Sequence, residues 1–310
     1  MIANKNVLIT GGAGFIGSHL AERLSTQNRV TIMDDFSTGT RSNLEELPAD
    51  EVIHGSVTDR EAVTDAVERA DIVAHLAAMM GVRRTLERPL EVLEVNIDGT
   101  RRVLEAAAEA DIERVLVAST SEVYGDGPDP PYAEDDETAP KTNYAVAKVA
   151  DERFTQAFEE TYGLEYTIVR YFNVYGPRQD SSSYGYVVPI FVKQALEGKP
   201  LIVHGDGSQT RDFTYIDDAI DCTVNALSPA GRNQVFNVGG GSELTIQELA
   251  EAVVTELGGR IEHIDHPRPY TVQRRCADVT KARGRLGYDP EYNIEDGIRA
   301  LRDAPTLSAR

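Results

Sequence analysis

Tryptophan is absent from this 310-residue chain, and only two cysteines, Cys222 and Cys276, occur. Two cysteines in a chain of this size do not make a disulfide scaffold, and they point to a reducing compartment, the cytoplasm. Long apolar runs are missing as well. Residues 1–6 pass directly into a short apolar segment, with no basic flank and hydrophobic stretch behind it, so neither a signal peptide nor a membrane span is expected. Positive charge is scarce: 31 Lys+Arg stand against 51 Asp+Glu, a net charge of −20. Such a surface repels nucleic acid, which is excluded as a partner. Lysine is the rarer cation, with six against 25 arginines. Surplus carboxylate with little lysine resembles proteins of salt-loving cells, although an acidic mesophilic protein has the same balance. An anionic ligand would need locally clustered arginine to be held against this field. What the chain does have is 41% hydrophobic residues and no low-complexity run or repeat. That is enough for one large α/β domain, or for two domains with a cleft between them.

The apolar residues 7–10 end at Gly11-Gly12-Ala13-Gly14-Phe15-Ile16-Gly17, and residues 18–24 then read as a helix. Strand, glycine turn and helix in this order form a dinucleotide cradle. Gly11 permits the tight turn, Gly14 lets a pyrophosphate approach the backbone, and Gly17 lets helix and strand pack closely. Phe15 and Ile16 lie in this turn, at the entry to the helix whose N-terminal amides face the phosphates. A second strand, 30–33, ends at Asp34, seventeen residues after Gly17. An acid there accepts both ribose hydroxyls and repels a 2′-phosphate, so NAD is expected rather than NADP. Strands at 51–54, 71–76, 114–118 and 166–170 alternate with helices at 61–68, at 89–110 and around Tyr144. This pattern predicts an α/β fold with a doubly wound parallel sheet. Ala77 follows the fourth strand, next to the expected cofactor, and His75 at that strand's end reads as a packing residue. Beyond Arg170 the texture changes: residues 171–186 are rich in Gly, Pro, Ser and Asn and read as a loop. The expected division is a cofactor domain over 1–171 and a smaller α/β substrate domain over 172–310. One strand, 234–237, is expected to return to the main sheet.

Near the middle stands Asn143-Tyr144-Ala145-Val146-Ala147-Lys148. On a helix the i and i+4 side chains share a face, which would bring an ammonium beside the phenol. A nearby cation lowers a tyrosine pKa from about 10 and makes it a general base for a hydroxyl proton. Alone, this spacing is ordinary on an amphipathic helix. Two further stretches change its weight. Ala118-Ser119-Thr120-Ser121-Glu122-Val123-Tyr124-Gly125 begins where a strand ends, and Thr210-Arg211-Asp212-Phe213-Thr214-Tyr215 lies in the second half.

Together these motifs resemble the extended short-chain dehydrogenase/reductases that act on nucleotide sugars, of the UDP-glucose 4-epimerase type. The resemblance runs from residue 7 to about 288. It implies that Thr120 hydrogen-bonds the sugar O4, that Tyr144 is the base, and that Lys148 holds the nicotinamide ribose and tunes the tyrosine. It implies substrate contacts from Ser121, Asn173 and Arg178, with a diphosphate clamp from Arg211 and Arg268, since a guanidinium grips phosphate bidentately. Asn96 would order the cofactor side. No metal is implied. Relatives pair through the helices matching 89–110 and 142–162, so a homodimer is expected.

Five positions depart from relatives. Ser56 replaces an Asp often set against the adenine, and Met80 a lysine found near the cofactor. Tyr270-Thr271 replace a Gly-Asp pair, and Arg275 stands where hexose epimerases carry a smaller or uncharged residue. The shared first step is oxidation at C4 to a 4-keto sugar. Epimerisation of a UDP-hexose is the leading expectation, favoured by Gly176-Pro177-Arg178-Gln179-Asp180. A 4,6-dehydratase is the first alternative, weakened because Ser121 replaces the aspartic acid that precedes Glu122 in those enzymes. A uronate decarboxylase is the second: there Glu122 and Arg275 would surround the C6 carboxylate. A non-catalytic NAD-binding protein is a minor alternative, since such relatives usually lose the tyrosine or the lysine.

Overall fold

The structure, a computed structural model, describes residues 2–304 except 46, 48, 126, 128, 180–185 and 266–271. Its first half alternates β1 (Asn6–Thr10), α1 (Phe15–Ser25), β2 (Arg29–Asp34), β3 (Glu51–His54), α2 (Arg60–Val67) and β4 (Ile72–His75). There follow α3 (Val82–Glu87), α4 (Pro89–Leu93), α5 (Gly99–Glu109), β5 (Arg114–Thr120), α6 (Asn143–Tyr162) and β6 (Tyr166–Tyr171). The remainder comprises β7 (Val174–Tyr175), α7 (Val187–Leu196), β8 (Leu201–His204), β9 (Thr210–Arg211), β10 (Thr214–Tyr215) and α8 (Ile216–Ala226). It ends with β11 (Gln234–Val238), β12 (Leu244–Thr245), α9 (Ile246–Leu257), β13 (Ile261–Ile264), α10 (Thr280–Leu286) and α11 (Ile294–Asp303).

Seven strands form one sheet in the order β11-β6-β5-β4-β1-β2-β3, all neighbours parallel. This is the doubly wound arrangement. Its strands are buried on both faces, which is why they read as near-continuous apolar runs. In β1, Val7 and Ile9 join the core under α1 and α8, while Leu8 joins the core under α2 and α5. The strand order reverses between β1 and β4, and ligands of such sheets lie outside the carboxyl ends at that point. Register brings those ends level: Thr10 lies beside Met33 and His75, and Thr120 beside Tyr171.

Two differences from the sequence reading concern local structure. The helix expected over 89–110 is α4, then a π-helical turn at Glu94–Asp98, then α5. The wider turn sets Asn96 into the interior, with no exposed surface, and π-bulges of this kind recur at functional sites. The stretch 171–186 is not all loop, because β7 pairs in parallel with β10. Outside the main sheet, β8 pairs with β13 and β9 with β12. Among the described residues no helix is long and apolar enough to cross a membrane.

Candidate active site

A cleft of about 2610 Å³ runs along the carboxyl edge of the sheet. Its cofactor half is built on the turn between β1 and α1. Gly11 has φ +71°, and a Cβ there would lie 2.7 Å from the Ala77 nitrogen; one on Gly17 would overlap the Gly11 carbonyl. Gly14 is the N-cap of α1 and supplies no side-chain cap, leaving the first-turn amides of Phe15, Ile16 and Gly17 for an anion. Asp34 ends β2 beneath this turn. Its carboxylate accepts the N–H groups of Ala13 at 2.9 Å and Phe36 at 2.8 Å. Burial pushes its pKa up against those bonds, and a carboxylate has lone pairs left for ribose hydroxyls. These residues fit a dinucleotide. Ser56 and Met80 also line the cleft.

Asn96 does not line the cleft. Its side chain accepts the N–H of Met79 at 2.7 Å and donates to the Met79 carbonyl at 3.0 Å, which pins the segment after β4. His75 lies between Thr10 at 2.7 Å and Thr100 at 3.0 Å, and is almost without exposure. Burial, with the Lys148 charge second, pushes its pKa down to about 3. A neutral imidazole with both nitrogens engaged is a packing residue.

The reacting centre lies where β5 meets α6. Thr142 caps α6 by accepting the Ala145 N–H at 3.0 Å, and Gly163 ends it in the left-handed region. Between them the helix presents Tyr144 and Lys148 to the cleft, opposite Thr120, Ser121 and Glu122. The Tyr144 phenol interacts with the Thr120 hydroxyl. Glu122 accepts the Thr142 hydroxyl at 3.1 Å.

The expected electrostatics of the Tyr/Lys pair need correction. The phenol pKa is pushed well above its ordinary value, by burial first and then by the fields of Glu122, Tyr186 and Asp151. The ammonium is turned to Asp151, donating to Oδ2 at 3.1 Å inside the protein. With its charge matched by Asp151, the ammonium does not offset the burial of the phenol. Asp151 and Tyr186 were not singled out in the sequence. The i, i+3 spacing from Lys148 was the available signal for Asp151, whereas Tyr186 comes from a distant segment.

On the opposite wall Arg211 and Arg275 stand near each other. Burial lowers the Arg211 pKa to about 10, the charge of Arg275 works in the same sense, and Glu122 opposes both. Arg275 is only 8% exposed. Asn173 lines the cleft at φ +33°, but its amide already donates to the Asp212 carbonyl at 3.0 Å. Arg178 lies on the cofactor side: it donates to Glu22 of α1 at 2.6 Å, while the neighbouring Pro177 carbonyl meets His19 of α1 at 3.0 Å. Arg268, Tyr270, Thr271 and Asp180 lie outside the described residues.

Comparison with known proteins agrees with this geometry. The model of the NAD dependent epimerase/dehydratase family matches residues 7–239. A UDP-N-acetyl-alpha-D-glucosaminuronate decarboxylase of Bacillus cytotoxicus is 40% identical, over 95% of this chain and 96% of that protein. A putative UDP-glucose 4-epimerase of Methanocaldococcus jannaschii is 36% identical, over 95% and 96%. The crystal structure of a Thermotoga maritima UDP-glucose 4-epimerase with UDP-glucose superposes with a TM-score of 0.93 at 32% identity, covering 98% of this chain and 100% of that one. The glycine cradle, the Thr120–Tyr144–Lys148 centre and these likenesses converge: the chain belongs to the NAD dependent epimerase/dehydratase family of nucleotide-sugar enzymes.

Proposed function

We propose that this enzyme decarboxylates a nucleotide-linked uronic acid through a 4-keto intermediate. The observation that carries the reading is the grouping of Glu122, Arg211 and Arg275 in one electrostatic field beside Tyr144. Two buried guanidinium groups near each other repel, and a ligand that carries both a diphosphate and a carboxylate would meet both charges. A neutral hexose offers only its diphosphate, whereas a uronate adds a carboxylate at C6. The 40% identical decarboxylase supports the same substrate class.

In this reading residues 172–310 hold the nucleotide sugar and residues 1–171 the cofactor. Tyr144, aligned by Thr120, takes the O4 proton. The NAD that the Gly11–Gly17 turn and Asp34 would hold supplies the acceptor and donor for the C4 hydride. The resulting C4 ketone is β to the C6 carboxylate, so the C5–C6 bond can break with its electron pair moving into the carbonyl, releasing CO2. Arg211 holds the diphosphate, and Arg275 orients the carboxylate until it leaves. C5 then gains a proton, and Tyr144 gives its proton back to O4, so that one uronate and one proton yield a pentose and CO2. Lys148 braces the cofactor ribose beside the phenol.

The second reading is the UDP-hexose 4-epimerase, favoured by the 0.93 superposition on the Thermotoga enzyme and by the 176–180 segment. Incubation of the NAD-loaded enzyme with UDP-glucuronate, UDP-N-acetylglucosaminuronate, UDP-glucose, UDP-N-acetylglucosamine and dTDP-glucose, read by NMR, decides between them. CO2 and a UDP-pentose are expected from a uronate. A galacto-configured product that keeps C6 would replace this reading with the epimerase, and a 4-keto-6-deoxy product with the dehydratase.

A further inference from the structure

Asp212 follows Arg211 at the end of β9 and has no exposed surface. Its Oδ1 accepts the N–H of Gly240 at 2.7 Å, and its Oδ2 accepts those of Gly241 at 3.0 Å and Ala277 at 2.9 Å. Its backbone carbonyl accepts the Asn173 amide at 3.0 Å. One residue therefore fastens the segments at 173, 211–213, 239–241 and 275–277. The packing leaves no slack: a Cβ on Gly239 would lie 2.8 Å from Oδ2, and one on Gly240 3.1 Å from Oδ1. Glycine lets the backbone close onto the carboxylate.

Two of these segments carry Arg211 and Arg275. Like charges buried near each other repel, so the pair depends on what ties its two segments together. Arg211 donates to the carbonyls of Thr210 on its own strand at 2.6 Å and of Val272, three residues before Arg275, at 3.0 Å. The two segments are also joined by the Thr210 N–H on the Gln273 carbonyl at 2.8 Å, and Asp212 adds three charge-assisted bonds that reach the segment just after Arg275 and that at 240–241.

We propose that Asp212 is the positioning residue of the Arg211–Arg275 pair, fixing the separation of the two cations and so setting affinity for the anionic substrate without touching it. This rests on the reading that the pair holds substrate. The carboxylate is also a pH-sensitive tie. Burial, with the Glu243 field in the same sense, pushes its pKa up to about 6 against the three N–H bonds. Cys276 and Tyr288 are further titratable groups facing it. Below that pH one oxygen gains a proton and can no longer accept as before, so the tie loosens.

The test is calorimetric titration of UDP-glucuronate and UDP-glucose into the NAD-loaded Tyr144→Phe enzyme, from pH 8 to 5. The same titrations are made with Asp212→Asn and with Arg211→Met in that background. Asp212→Asn is expected to weaken binding about tenfold or more at pH 7.5, with NAD content unchanged, as misplacement of a positioned group does. The parent is expected to lose about tenfold in affinity one pH unit below the Asp212 midpoint, and Asp212→Asn to lose that dependence. Unchanged affinity in Asp212→Asn, while Arg211→Met binds weakly, overturns the positioning role alone. Unchanged affinity in Arg211→Met, or a parent that binds neither ligand, overturns the substrate reading with it. Should Asp212→Asn fail to fold, the parent decides: affinity constant from pH 8 to 5 rejects the proposal.

Discussion

Tyr144 meets its environment before it meets any substrate. A phenol that is 8% exposed, beside a carboxylate at Glu122 and under a second at Asp151, resists ionisation. In the proposed role of base it would gain from its interaction with Thr120 and from transferring a proton out of water, more than from standing ionised. In the proposed reading, replacing Tyr144 by Phe removes the oxygen that takes the O4 proton. Turnover is expected to fall about 10³-fold, while NAD stays bound, since the cradle of Gly11, Gly14 and Gly17 is untouched. The check is kcat together with the NAD content of the purified variant. Turnover within tenfold of wild type would remove Tyr144 from the role. The identities of these residues were readable in advance because each glycine answers a steric demand and Tyr144 and Lys148 share a helix face. Their electrostatics were readable only in part: Asp151 shares a helix with Lys148, whereas Tyr186 and the tie at Asp212 act through neighbours that only folding brings near. Ala277, for one, lies 65 residues from the carboxylate it binds.

Among the elements, β4 joins the two halves of the cofactor site. Its last residue, His75, bridges Thr10 at the end of β1 to Thr100 in α5. The folded protein keeps this imidazole neutral down to about pH 3, whereas an unfolded histidine takes a proton at about 6.5. Between those values the unfolded chain binds more protons, so stability falls as pH drops below about 6.5. At pH 5 the loss from this residue is about 2 kcal/mol. Urea unfolding at pH 7.5 and pH 5.0 should show wild type losing about that much more stability than His75→Gln, which keeps a polar bridge without the titration. Equal losses in the two proteins would mean that His75 is already accessible to protons in the fold. The alternation of elements was legible because strands buried on both faces and helices buried on one leave different periods in the sequence. The π turn at Glu94–Asp98 was not: its helical period is interrupted for one turn only, and it accompanies the tertiary bonds between Asn96 and Met79. Two-residue strands such as β7 and β10 carry no period at all.

At the scale of the whole molecule the governing quantity is charge. The chain carries 51 acidic against 31 basic groups, and its ion pairs lie mostly at the surface. Arg60, with a side chain 69% exposed, reaches both Glu105 and Glu109, and Arg69, 63% exposed, pairs with Glu51. Exposed pairs of this kind contribute about 0–1 kcal/mol each and weaken in salt. Salt also screens the repulsion among the unmatched carboxylates, and that repulsion opposes the compact state. The two effects have opposite signs. With 20 more negative than positive charges, repulsion acts over the whole surface, while each attraction is confined to a pair. Screening should therefore stabilise the fold on balance. Raising NaCl from 0.1 M to 1 M shortens the screening length from about 10 Å to about 3 Å. The gain expected is about 1 kcal/mol, read as a rise of about 2 °C in the thermal midpoint. Because the screening length changes little beyond that point, most of the rise should be complete by 1 M; a midpoint that falls or stays level over this interval would show that the surface pairs, rather than the net charge, dominate.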